Sequence, residues 1–118
     1  MAANSVMLAG NLTKEPELRY TSAGKAVCNF RVAVDGAGKS ADNAGFFDCA
    51  AWGDLAENLC ESLSKGQRVV VSGQLKQRSF EANGATRTAI EVLVEDAGPS
   101  LLWAQAKAIK KVPARQEA

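Results

Sequence analysis

Phe46, Trp52 and Phe80, together with Arg31, Lys76, Arg78 and Arg87, are the residues of this chain whose types and spacing could do chemistry on a ligand. Aromatic residues make up only 6% of the sequence, so rings at positions that face water ask for an explanation. Within GFFDCAAW, Gly45 to Trp52, strand alternation sends Phe46, Asp48, Ala50 and Trp52 to one face and Phe47, Cys49 and Ala51 to the other. Phe47 then fills a core, while Phe46 and Trp52, at roughly 3.3 Å per residue, stand about 20 Å apart on the opposite face. Flat rings interleaved with cations suit unpaired nucleic acid: each ring stacks on a base for about 1 to 3 kcal/mol, and each cation answers a phosphate. Stacking ignores base identity, so such a face binds broadly and reads no sequence. Taken singly, each residue is explained as well by a solvated charge or by a ring covered by a partner subunit. The argument rests on complementary types sharing one face. Asp48 opposes it, since it shares the parity of Phe46 and Trp52 and would repel a phosphate.

The rest of the composition narrows the alternatives. The chain has no histidine, which removes the usual general base, and its nearest carboxylates on a helix, Glu57 and Glu61, read as solvated charges. An enzyme is therefore not expected. Cys28, Cys49 and Cys60 are widely spaced, odd in number and without a CxxC, so neither a metal site nor a cofactor is expected, and the cysteines read as small buried hydrophobes. Formal net charge is +1, from 14 Lys and Arg against 13 Asp and Glu. An anionic partner must then be held by local cations and not by the field of the whole molecule. No apolar run approaches the roughly 20 residues of a membrane span, and MAANSVMLAG lacks the layout of a signal peptide, so the expected location is cytoplasmic.

These residues must be positioned by a small all-β domain. A length of 118 residues with 47% hydrophobic content supports one core. Ser5 to Leu12 reads as a short strand, Glu17 to Tyr20 as a brief extended piece after Pro16, and Ser22 to Lys25 as a turn with Gly24 at positive φ. From Ala26 to Asp35, Cys28, Phe30, Val32 and Val34 alternate with Asn29, Arg31 and Ala33. GAGKSADNAG, Gly36 to Gly45, reads as a mobile loop. Asp54 to Ser64 carries Leu55, Ala56, Leu59, Cys60 and Leu63 at helical spacing, with Lys65-Gly66 as its stop. Arg68 to Phe80 alternates again, Val69, Val71, Gly73 and Leu75 pointing inward, and Asn83-Gly84 marks a hairpin into Thr86 to Glu95, where Thr88, Ile90, Val92 and Val94 share a face. Five hairpin-linked strands with one helix between the third and fourth form the element order of a Greek-key barrel, the OB-fold. By pattern alone SLLWAQAKAIKK is either strand or helix.

At this point the residues match a known family. GNLTKEPELRYTSAGKAVCNFRVAV, FFDCAAWGDLAENLCESLSKGQRVVVSGQLKQRSF and TRTAIEV, in that order, closely resemble the bacterial-type single-stranded DNA-binding proteins over nearly the whole chain to Val94. GPSLLWAQAKAIKK is further similar to the actinobacterial branch, which adds a C-terminal strand that clamps neighbouring subunits. The resemblance implies a homotetramer of OB-folds that binds single-stranded DNA in replication, recombination and repair, in the cytoplasm at the nucleoid. It implies that Ser100 to Lys111 is a strand with Trp103 at the clamp, that residues 1–112 form the DNA-binding domain, and that 113–118 are a flexible tail. Carried over position by position, it places Phe46, Trp52 and Phe80 at stacking sites and Lys65, Lys76, Arg78 and Arg87 at backbone contacts. Asp48 and Asp54 stand where basic residues occur in other members, and the 36–45 loop has Lys39 as its only cation, which implies weaker binding per subunit. The ending RQEA lacks the Gly-rich linker and acidic tip through which family members recruit repair enzymes, so the tail was either removed or the chain is a tailless paralogue, and partners that need the tip are not expected of a complete chain. The alternative kept open is an OB module of a primosome or scaffold whose aromatic face binds protein.

Overall fold

A computed structural model describes residues 3–35 and 45–111. Within them, alternating apolar sequence becomes six strands and one helix, in the order β1 (Val6–Leu12), β2 (Glu17–Tyr20), β3 (Ala26–Val34), β4 (Gly45–Trp52), α1 (Asp54–Ser62), β5 (Arg68–Ala82) and β6 (Ala85–Pro99). Hydrogen-bonded neighbours run β1-β5-β6-β4-β3-β2, and β1 also pairs with β3 through Asn11–Ala33 and Leu12–Val32. Five strands thereby close into a ring, and the four-residue β2 lies along β3. This is the expected OB barrel, with α1 between the third and fourth strands of the ring. The seam between β4 and β6 is parallel and short, Cys49 beside Val92 and Ala50 beside Leu93.

The ring closes because glycine lets two backbones meet. A side chain at Gly10 would collide with the Ala33 carbonyl and the Val32 side chain, so β1 can cross β3 only where no Cβ intervenes. Inward-facing Leu8, Leu12, Cys28, Phe30, Val32, Val69, Val71, Val92 and Val94 fill the interior. The stripe on α1 caps it: Ala56, Leu59 and the following Leu63 are buried, with Leu55 and Cys60 packed at the margin. Burying side chains of this size contributes about 1.5 to 3 kcal/mol each. Asp54 and Glu57 in the first turn of α1 face its positive end.

Several expectations need correction. Phe47 does not fill the core; it pairs with Val32 near the start of β4 and is half exposed, whereas Phe30 is the buried ring. Leu75 and Ile90 are on the predicted inward face but exposed. β5 and β6 are each 15 residues long, so their far ends leave the barrel as a two-stranded arm with no core beneath it. A register shift at Ser72/Gly73, where Glu95 of β6 is passed over, explains how Val92 and Val94 point inward and then Ala97 does so three positions on. The helix stops at Ser62 because Leu63 turns to an extended backbone and buries its side chain, not through Gly66, which takes φ 85° in the following turn.

The expected C-terminal strand is also absent as such. Beyond Pro99, residues 100–111 carry no ladder hydrogen bonds, and 101–111 are exposed. A strand needs a neighbouring edge to pair with, and this segment pairs with none in its own chain. The segment is anchored at its root, where the Ser100 N–H donates to the Arg68 carbonyl at 2.9 Å and Arg68 Nε donates to Ser100 Oγ at 3.2 Å, and at its far end Lys111 Nζ donates to Asn58 Oδ1 at 3.0 Å. The expectations for the 36–44 loop and the 113–118 tail lie outside the described residues.

Candidate nucleic-acid interface

Cross-strand pairing sets which side chains share the outer surface. Between β3 and β4 the outward rows are Val27–Trp52, Asn29–Ala50, Arg31–Asp48 and Ala33–Phe46; the inward rows are Cys28–Ala51, Phe30–Cys49 and Val32–Phe47. On the arm, Lys76 pairs with Glu91, Arg78 with Ala89 and Phe80 with Arg87, all on the side continuous with that surface. Phe46, Trp52 and Phe80 are 61%, 44% and 42% exposed. Seven of the eight residues singled out from the sequence thus share the outer face of four consecutive strands of the ring. Lys65 does not: it lies in the turn after α1, where its N–H donates to Glu15 Oε1 at 3.1 Å and the next N–H, of Gly66, donates to the Leu12 carbonyl.

The seven differ in what already holds them. Arg31 is spoken for, its Nε 2.9 Å from Asp48 Oδ1 and its Nη2 3.4 Å from Oδ2. That hydrogen bond raises the Arg31 pKa further above its ordinary value. Asp48 therefore acts on Arg31 as a neutralising partner, more than as the bare repulsive charge that parity alone suggested. Among the described residues, Lys76, Arg78 and Arg87 take part in no ion pair. The Arg78 guanidinium lies 5.8 Å from the centroid of the Phe80 ring, which orients ring and cation together.

Arg19 was missed by the sequence reading. β2 pairs with β3 so that Arg19 stands in the row of Val27 and Trp52. The four-residue strand gave too little periodicity to reveal this. Arg19 shares Glu17 with Lys14, and those two hydrogen bonds lower the Glu17 pKa. Trp103, expected at a clamp, is 78% exposed, with the Arg68 guanidinium 4.9 Å from its ring centroid. Among the described residues no cluster of His, Cys, Asp or Glu could hold a metal ion, and no helix is long and apolar enough to cross a membrane.

An outer face of three separated rings with cations between them offers stacking and phosphate contacts along a strip. Comparison with known proteins agrees with this geometry. Residues 3–99 match the Single-strand binding protein family. A single-stranded DNA-binding protein of Mycobacterium leprae is 48% identical over 115 residues, covering 90% of this chain and 68% of that protein. That of Mycobacterium tuberculosis is 49% identical over 115 residues, covering 90% and 70%, and that of Paenarthrobacter aurescens 44% over 112 residues, covering 87% and 65%. With the barrel, the outer face and these relatives in agreement, the chain belongs to the single-strand binding protein family, in its actinobacterial form.

Proposed function

We propose that the protein binds single-stranded DNA without regard to sequence and shields it during replication, recombination and repair. Bases stack on Phe46, Trp52 and Phe80, and phosphates meet Lys76, Arg78 and Arg87. Arg31 joins them only when Asp48 releases it, and Lys65 meets strand that has run past the edge of the face. The observation that carries this reading is the exposure of three rings on one outer face with unpaired cations beside them. Each stacked base contributes about 1 to 3 kcal/mol.

Residues 1–112 are the binding unit in this reading, 113–118 a flexible tail, and the location cytoplasmic. The protein assembles as a homotetramer in which residues 100–111 become a strand against a neighbouring subunit. The exposure of Leu101, Leu102, Trp103 and Ile109 supports it, since a free segment gains nothing by showing four large apolar side chains to water.

The test is tryptophan fluorescence during titration with poly(dT) at two salt concentrations, on variants that each keep one Trp. The Trp52 signal should be quenched, with affinity falling as salt rises, and the Trp103 signal should change less. A protein-binding OB module would show neither quenching nor salt dependence, and that result would remove the proposal. Sedimentation equilibrium of the chain with and without residues 100–111 tests the assembly; equal mass per particle would refute the clamp.

A further inference from the structure

Two thiols on the core side of the barrel stand closer than non-bonded sulfurs ordinarily do. Cys60 Sγ lies 2.9 Å from Cys28 Sγ across 32 positions of sequence. Cys28 is fully buried in β3 and Cys60 is partly exposed on α1. A disulfide bond is about 2.05 Å long, so joining the pair asks for less than about an ångström of approach between the two sulfurs. Cys49 is the contrast within the same molecule, buried with its Sγ toward the Phe47 carbonyl at 3.7 Å and no second thiol beside it.

We propose that Cys28 and Cys60 are a reversible redox pair, oxidised by low-molecular-weight disulfides to an intrachain bond that staples α1 to β3. Cys60 reaches solvent and makes the first attack: its thiolate adds to one sulfur of the small disulfide, the oxidant's S–S bond breaks, and one small thiolate leaves and is protonated. The Cys28 sulfur then attacks Cys60 Sγ in the mixed disulfide, and its proton passes to the second small thiolate as that group is expelled. Two protein thiols and one small disulfide become one protein disulfide and two small thiols. Burial holds the Cys28 pKa above the ordinary thiol range, which assigns the opening attack to Cys60 and leaves Cys28 as the resolving thiol, acting at contact distance.

The bond would enclose β4 and most of α1 in a covalent loop, restricting the unfolded chain more than the folded one. Both sulfurs lie on the inward side of β3, away from Phe46, Trp52 and Arg31. Oxidation is therefore expected to act on stability and to leave the outer face as it was.

The experiment exposes the full chain to oxidised glutathione, removes the reagent, and reads intact mass, the number of thiols reactive under denaturing conditions, melting temperature and oligonucleotide affinity. The expected product has lost two hydrogens and keeps one reactive thiol, that of Cys49. It melts several degrees higher, reverts with dithiothreitol, and binds poly(dT) within about twofold of the reduced form. Cys49→Ser should form the same bond with the same rise in melting temperature and keep no reactive thiol, and Cys60→Ser should show no gain in melting temperature. A persistent glutathione adduct on Cys60, chains cross-linked on a non-reducing gel, or three thiols still reactive would overturn the pair. A disulfide that forms without raising the melting temperature would overturn the staple.

Discussion

Replacing Asp48 with Asn should make single-stranded DNA bind more tightly and with a steeper dependence on salt. Arg31 and Asp48 face each other on the outer surface with side chains 48% and 58% exposed and Nε 2.9 Å from Oδ1. An exposed pair of this kind stabilises a fold by about 0 to 1 kcal/mol, so the barrel survives the change. What alters is the charge beside the rings: a carboxylate disappears and a guanidinium is released. A unit charge meeting a phosphate at about 4 Å in water gains about 1 kcal/mol, roughly fivefold in affinity at low salt. One further phosphate contact on a single strand steepens log K against log salt by about 0.7. Raising salt from about 50 to 200 mM should then weaken the variant about 2.6-fold more than the parent. The assay is fluorescence titration with oligonucleotides at both salts, on the parent, D48N, R31Q and the double variant. R31Q alone should weaken binding, because it leaves Asp48 as a bare carboxylate beside the rings, and in the D48N background it should abolish the gain. If D48N leaves affinity and slope unchanged, or if R31Q in the D48N background leaves the gain in place, then Asp48 does not hold Arg31 back.

Three more outcomes follow from the geometry. Trp52→Ala and Phe80→Ala should each weaken poly(dT) binding by about 1 to 3 kcal/mol with the salt slope unchanged, since a ring carries no charge; a flattened slope would mean that Phe80 works only by orienting Arg78. Gly10→Ala should destabilise the fold by about 1 to 3 kcal/mol or more, because its methyl meets the Ala33 carbonyl, whereas Gly98→Ala, with open space around it, should be nearly neutral in urea unfolding. Burial, with Asp48 and Glu91 adding to it, pushes the Cys49 thiol up to about 12. Above the ordinary thiol range the unfolded chain loses this proton while the folded chain keeps it, so stability is full below about pH 8.5 and falls, by up to about 1.4 kcal/mol per unit, toward pH 12. Unfolding midpoints at several alkaline pH values should show this fall, with a shallower slope in Cys49→Ala; identical slopes would mean that the thiol is solvated in the native state.

Periodicity tells which face a residue is on, and the structure agrees wherever a face also fixes depth. Cys28, Phe30 and Val32 alternate inward as expected, and Asn83 and Gly84 both take positive φ, 53° and 78°, to turn the hairpin. Depth along a strand is not periodic. Phe47, Leu75 and Ile90 have the right parity and still meet water, because one lies near a strand's start and the others lie on an arm that has outrun the core. The Arg31–Asp48 pair was hidden for a different reason, since its partners are 17 positions apart and meet only through the register of β3 with β4. Residues 100–111 carry the apolar content of a strand without a bonding edge in their own chain. No reading of a single sequence supplies a neighbour.

The narrow parallel join between β4 and β6 carries a consequence for the chain as it is made. Cys49 and Ala50 find Val92 and Leu93 only after the helix and the whole β5–β6 hairpin have been synthesised. Until the ribosome has released Leu93, β4 presents one flank of bare amides and carbonyls next to apolar side chains that have no roof. The nascent protein therefore passes through an interval in which this flank stays sticky until the hairpin arrives to cover it. Any delay in translating the hairpin would prolong that exposure.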